Sequence, residues 1–217
     1  MEYAGKIEDA ALNKLCRMNI LQRQNKRAEI LALSRDEDIG KWPDALIYDG
    51  LMCRGRTYAG EKDVPNAEKD LLAAVKNTVS ADKKAFAYGF LGELYGSVSQ
   101  DLQKALDAYG EILKLEPSFH LTARAVVSRA RLLAADGKGE QALSEMGRLA
   151  KLNLSQHKDP YWPCWAPMSE GDIYATMGRK TEALAHYRAA QVVTNAPPDL
   201  LQEVKRKITD LESTTQK

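Results

Sequence analysis

The sequence of 217 residues is poor in cysteine, with only Cys16, Cys53 and Cys164. These are odd in number, far apart and without C-x-x-C spacing, which argues against a disulfide framework or a zinc site and reads them as small core residues. A run of eighteen apolar residues is also missing, so no membrane insertion is expected. The start, MEYAGKIEDA, lacks a basic segment followed by an apolar one. A cytoplasmic location is expected if this is the full chain, and an exported one if a signal segment was removed. Neither sign of charge is in excess: 31 Lys and Arg face 30 Asp and Glu, a net charge of +1. That removes the general attraction to nucleic acid or to an anionic membrane surface.

Catalytic arrangements are absent in the same way. The chain has no H-E-x-x-H, no G-x-S-x-G and no Walker loop. His120, His157 and His186 share no metal spacing. Gly137-Lys138-Gly139 has no strand before it and falls where a helical turn is needed. Asn153-Leu-Ser155 is a glycosylation triplet with meaning only for an exported chain. No enzyme activity, cofactor or metal is expected.

What is present is helical periodicity. Between Ala85 and Pro117, Tyr88, Leu91, Gly92 and Tyr95 recur every three or four residues, which puts them on one helix face. Gly96-Ser97 and the capping candidate Asp101 follow. Leu102, Ala105, Tyr109, Ile112 and Leu113 then repeat the period until Pro117 stops it. Gly92 and Ala105 leave room for two backbones to approach, and the tyrosines fill the space around them.

Weaker copies flank this hairpin. One has Trp42-Pro43-Asp44 at its start, then Leu51, Gly55, Tyr58, Ala67, Leu71 and Ala74. Another has Val126, Ala130, Leu133, Ala142, Met146 and Leu149, and a third has Gly171, Tyr174, Ala183, Tyr187 and Ala190 before Pro197-Pro198. The first small residue precedes the next by twelve positions in all three, from Gly55 to Ala67, Ala130 to Ala142 and Gly171 to Ala183. A degenerate first copy is read from Leu12, Cys16 and Ala28. Leu200, Leu201, Val204, Ile208 and Leu211 give the last stretch one apolar face, as a terminal capping helix needs.

Tyr88, Leu91-Gly92, Tyr95, Ala105, Tyr109 and Pro117 together resemble a tetratricopeptide repeat, with an inter-helix loop one residue longer than the family's. Val98-x-x-Asp101-x-x-Lys104-Ala105 is also similar to the related Sel1-type repeat. The resemblance implies an all-α, right-handed superhelical α-solenoid of antiparallel helix hairpins. Its expected parts are a degenerate hairpin over 1–40, four hairpins at about 43–79, 82–117, 118–154 and 163–197, and a capping helix and tail over 199–217. The spacing of 37, 38 and 41 residues between positions 55, 92, 130 and 171 exceeds the family's 34.

The resemblance also implies a non-catalytic protein–protein interaction scaffold, with a peptide or protein partner lying along the first helices. The positions expected to face that groove are Asp49, Met52 and Arg56, then Phe86, Gly89 and Glu93, then Arg124, Val127 and Arg131, and then Trp165, Met168 and Asp172. The arginines suit a partner with an acidic segment or a terminal carboxylate. Met52 and Arg56 stand where chaperone-binding repeats carry a Lys and Asn clamp, so that activity is not implied. Tyr161-Trp162-Pro163-Cys164-Trp165-Pro167 would serve as binding anchors or, the preferred reading, as a plug ahead of a helix, with Pro167 in that helix's first turn. The alternative function is a structural subunit that self-associates into a homo-oligomer or organises a larger complex.

Overall fold

The computed structural model describes residues 2–151 and 161–213. Asn153-Leu-Ser155, His157 and the end of the expected fourth hairpin lie outside the described residues. Among the described residues there is no strand. The chain divides into two compact units, Met1–Leu121 and Thr122–Lys217. The first contains α1 (Glu2–Arg23), α2 (Arg27–Ser34), α3 (Asp44–Gly60), α4 (Val64–Lys76), α5 (Ala81–Glu93) and α6 (Leu102–Lys114). Helix α7 (Phe119–Ala135) begins in the first unit and runs into the second, which continues with α8 (Gly139–Lys151), α9 (Tyr161–Thr176), α10 (Lys180–Gln191) and α11 (Pro198–Ser213). Within the first unit α3 packs on α1, α2 and α4, and α5 on α4 and α6; within the second, α9 packs on α8 and α10, and α11 on α10 and α9.

Four reversals use one turn. Asn25, Lys62, Gly137 and Gly178 take left-handed backbone angles, with φ of 56°, 61°, 76° and 74°. The next N–H then reaches a carbonyl five residues back: Lys26 to Leu21 at 2.9 Å, Asp63 to Tyr58 at 2.9 Å, Lys138 to Leu133 at 2.8 Å and Arg179 to Tyr174 at 2.9 Å. This bond satisfies a carbonyl that the helix end leaves open. The fifth reversal, between α5 and α6, differs by one residue. Gln100 is left-handed (φ 55°), but the bond spans six residues, from Asp101 N to Tyr95 O at 2.9 Å. The extra residue is absorbed as a π-helix, Leu94–Ser99, so the insertion expected in the loop sits in the helix before it. Asp101 then caps α6 by accepting the Lys104 N–H at 3.0 Å, and Asp63 caps α4 through Asn66 N at 3.3 Å.

Five residues beyond each left-handed residue stands a side chain with at most 1% exposure: Ile30, Ala67, Ala105, Ala142 and Ala183. The close approach is measured by the glycines of the preceding helices. A Cβ on Gly92 would lie 2.5 Å from the Tyr109 ring, one on Gly171 2.5 Å from Tyr187, and one on Gly55 3.1 Å from Leu71. The first hairpin obeys the same geometry in a different register. Leu12, Cys16 and Ala28 are exposed, and Met18, Leu21 and Ile30 are the buried set. The sizes are exchanged there: a large Met18 replaces the glycine, and a small, fully buried Ser34 stands where α4 has Leu71 and α6 has Tyr109.

A polar knot ties α3 to its surroundings. Arg54, where the third hairpin has Leu91, is buried and binds the Asp70 carboxylate with Nε at 2.6 Å and Nη2 at 2.9 Å. Its Nη1 also donates to the carbonyls of Ser34 (2.6 Å) and Glu37 (2.8 Å), which fixes the segment after α2. Burial opposes the guanidinium charge, and Asp70, Tyr58 and Glu37 outweigh it, so its pKa is raised. The Glu37 carboxyl is held below its ordinary value by a hydrogen bond from Lys14.

Helix α9 starts earlier than expected. Tyr161 opens it, Pro167 lies inside it, and Tyr161 stacks on Trp165 while Trp162 meets both rings edge-on, with centroids 5.0–5.8 Å apart. The aromatic run is therefore helical and not a junction ahead of a helix.

Two stability outcomes follow from these contacts. Gly92→Leu drives a branched side chain into the Tyr109 ring and is expected to cost more than about 2 kcal/mol in urea unfolding; a neutral result would remove the close contact. Asp70→Ala strands a buried guanidinium and should cost about 3–5 kcal/mol, whereas a loss below about 1 kcal/mol would mean that Arg54 finds water instead.

Candidate partner-binding surfaces

In the first unit, α3 and α5 carry the expected positions. Helical periodicity brings Arg56, Phe86, Phe90 and Glu93 to one region, and Met52 turns inward and is 5% exposed. The guanidinium of Arg56 lies 4.5 Å from the Phe90 ring centroid. Phe86, 40% exposed, meets Phe90 edge-on at 5.2 Å. A Cβ built on Gly89 would meet nothing within 4 Å, so this part of the face is open. Asp49 is 3.9 Å from Lys83. Beside these residues is a cavity of about 490 Å³ whose lining includes Gln22, Asn25, Arg27, Arg56, Glu93 and Ser97. Arg27 is anchored there by a 3.0 Å hydrogen bond to the Gly60 carbonyl. Among the described residues, no carboxylate pairs with Arg56.

In the second unit the expected residues are largely occupied with one another. Arg131 Nη2 is 2.9 Å from Asp172 Oδ2, and its guanidinium sits 5.7 Å from the Trp165 ring. The other Asp172 oxygen accepts the Tyr187 hydroxyl at 2.8 Å and pairs with Lys207 Nζ at 2.8 Å. Asp172 thus links α7, α9, α10 and α11 inside this unit. Burial, and then the bond to Asp172, raise the Tyr187 pKa. Val127 (1% exposed) and Met168 (4%) belong to the core, Met168 in a cluster with Cys164, Ala183, Tyr187 and Val204. Arg124 is exposed and already has a contact.

Sequence reasoning missed Phe90, Tyr187 and Lys207. Phe90 is four residues from Phe86, a spacing that would have found it. Lys207 lies on a helix face that reads as solvent, and nothing local distinguishes it. Met52, Val127 and Met168 were placed by register alone, and their size and apolarity draw them into the core.

Two of the thiols, those of Cys53 and Cys164, are buried, and His186 is engaged. Burial pushes the Cys53 thiol up to about 11 and raises that of Cys164, whose Sγ is 3.4 Å from the Ala190 carbonyl. Cys16 is exposed, against the expectation of a core position, because α1 turns Met18 inward instead. His186 pairs with Glu170 at 2.9 Å and stacks on Tyr174 at 4.9 Å. Among the described residues, no group of three or more His, Cys, Asp or Glu could hold a metal ion, and no helix is long and apolar enough to cross a membrane.

No family model matches the sequence, and no curated protein matches it. Solved structures do. BtubC (BKLC) from P. vanneervenii superposes with a TM-score of 0.66 at 13% identity, covering 98% of this chain and 84% of that one. TTC0263, a thermophilic TPR protein in Thermus thermophilus, gives 0.53 at 18% identity over 90% of this chain and 97% of that one. YrrB, described as a TPR protein with an unusual peptide-binding site, gives 0.54 at 18% over 90% and 92%. At these identities the likeness concerns the backbone, and it agrees with the hairpins, their shared turn and their glycine contacts. The chain therefore has the all-α helical-repeat fold of the tetratricopeptide proteins.

Proposed function

We infer that the chain is a non-catalytic interaction module that holds a peptide or protein partner, and that the α3 and α5 face of the first unit is where the partner lies. Arg56 carries this reading. A half-buried guanidinium whose Cζ lies 4.5 Å from an aromatic ring centroid, without a carboxylate among the described residues, is poised to form paired hydrogen bonds with an acidic group. The half-exposed Phe86 and the gap at Gly89 supply an apolar contact and room for a chain beside it. The peptide-binding site named for the similar YrrB is in keeping with this. The net charge of +1 argues against a polyphosphate partner. Within the second unit, Arg131 and Asp172 neutralise each other, so they contribute less than their positions promised.

A second reading has its own observation. Leu12 (45% exposed) and Ile20 (56%) flank the exposed Cys16 along one side of α1, a stripe suited to self-association.

Arg56→Glu is expected to abolish capture of a partner retained by the unaltered chain in affinity purification with mass spectrometry, leaving helix content and Tm nearly unchanged; undiminished capture would remove this face from the account. For the second reading, light scattering after gel filtration should find a dimer or larger species that Leu12→Asp with Ile20→Asp turns into monomer. A monomer from the start would end that reading.

A further inference from the structure

The third hairpin has one residue more in its reversal than the other four, and that residue is taken up in the π-helix Leu94–Ser99. A π-turn interrupts the regular hydrogen-bond ladder and is found mostly where it shapes a site. Here its residues Leu94, Ser97 and Val98 help line the cavity of about 490 Å³, with Arg27, Arg56 and Phe90 among the other lining residues. The four reversals without the insertion have no such helix, so the repeat geometry itself does not require this lining.

The lining selects an occupant by charge and by shape. Arg27 is already engaged with the Gly60 carbonyl at 3.0 Å and lies 3.7 Å from Glu61. Arg56 lies over the Phe90 ring at 4.5 Å from its centroid, a contact that uses none of the guanidinium N–H donors for a carboxylate. Arg27 is paired with Glu61, so the surplus of one positive charge in the lining is that of Arg56, which pairs with no carboxylate among the described residues. One carboxylate matches that surplus. Phe90, Leu94 and Val98 add an apolar part, which suits a carboxylate borne on methylene groups better than a bare anion.

We propose that this cavity holds a glutamate side chain of the partner peptide, with its carboxylate on the Arg56 guanidinium and its methylenes against Phe90 and Val98. The proposal rests on the interaction-module reading and names the residue by which the partner is anchored. The one-residue insertion becomes the feature that builds the pocket.

The test uses an N-acetylated, C-amidated heptapeptide with one central glutamate between leucines, and its glutamine counterpart, each titrated into the ¹⁵N-labelled full chain. The glutamate peptide should shift the Ser97 and Val98 amides and bind at least about tenfold more tightly than the glutamine peptide. That preference should vanish in Arg56→Gln, whose circular dichroism stays unchanged, and in a chain from which Val98 is deleted. Four results would overturn the proposal: equal affinities, no shift with either peptide at millimolar concentration, a preference that survives Arg56→Gln, or binding that requires a free C-terminal carboxylate. If the peptides fail while Arg56→Glu still abolishes partner capture, the interaction module stands and only the glutamate anchor falls.

Discussion

The contact of a residue without a side chain on one helix with a large ring or branched chain on the next is the constraint on which the second, third and fifth hairpins depend. Gly92 lies under Tyr109, Gly171 under Tyr187 and Gly55 under Leu71, at distances that leave no space for a Cβ without movement. Burying a large side chain stabilises by about 1.5–3 kcal/mol, and the glycine lets it be buried at the crossing point itself. The turn then has to deliver the second helix at the right height. The left-handed residue and the bond back across the helix end do this at Asn25, Lys62, Gly137 and Gly178.

Charged residues inside the units are organised around two anions. Asp70 holds the buried Arg54, and through it the carbonyls of Ser34 and Glu37; Asp172 gathers Arg131, Tyr187 and Lys207. Asp70 has both oxygens held by one guanidinium and Asp172 has three partners, which is the condition for a charge to sit away from water at tolerable cost. Arg56 is different in kind. It has an aromatic support and, among the described residues, no carboxylate partner.

The hairpins were legible in the sequence because their signals are local and repeated. Gly55, Ala67, Ala130, Ala142, Gly171 and Ala183 sit at the offset of twelve, and Asp101 announces itself as a cap. The first hairpin misled for a physical reason. The repeat has small residues at both crossing positions, but here a buried Met18 occupies one, so the small-residue pattern points instead to Cys16 and Ala28, which are exposed. The π-helix was visible only as a surplus residue, since nothing in Leu94–Ser99 says whether the helix or the loop will absorb it. The expected groove positions are legible in register but not in depth: Arg56 in the first unit is half-buried, while Met52 in that unit and Val127 and Met168 in the second, at equivalent register, are drawn into the core by their apolarity.

A double-mutant cycle on Gly92 and Tyr109 measures the central contact most directly. In an open helix, glycine to alanine stabilises by about 1 kcal/mol. Gly92→Ala should instead destabilise, and should return to stabilising when Tyr109→Leu clears the space, a coupling of more than about 1 kcal/mol. Additive effects, or a stabilising Gly92→Ala with Tyr109 in place, would contradict the account.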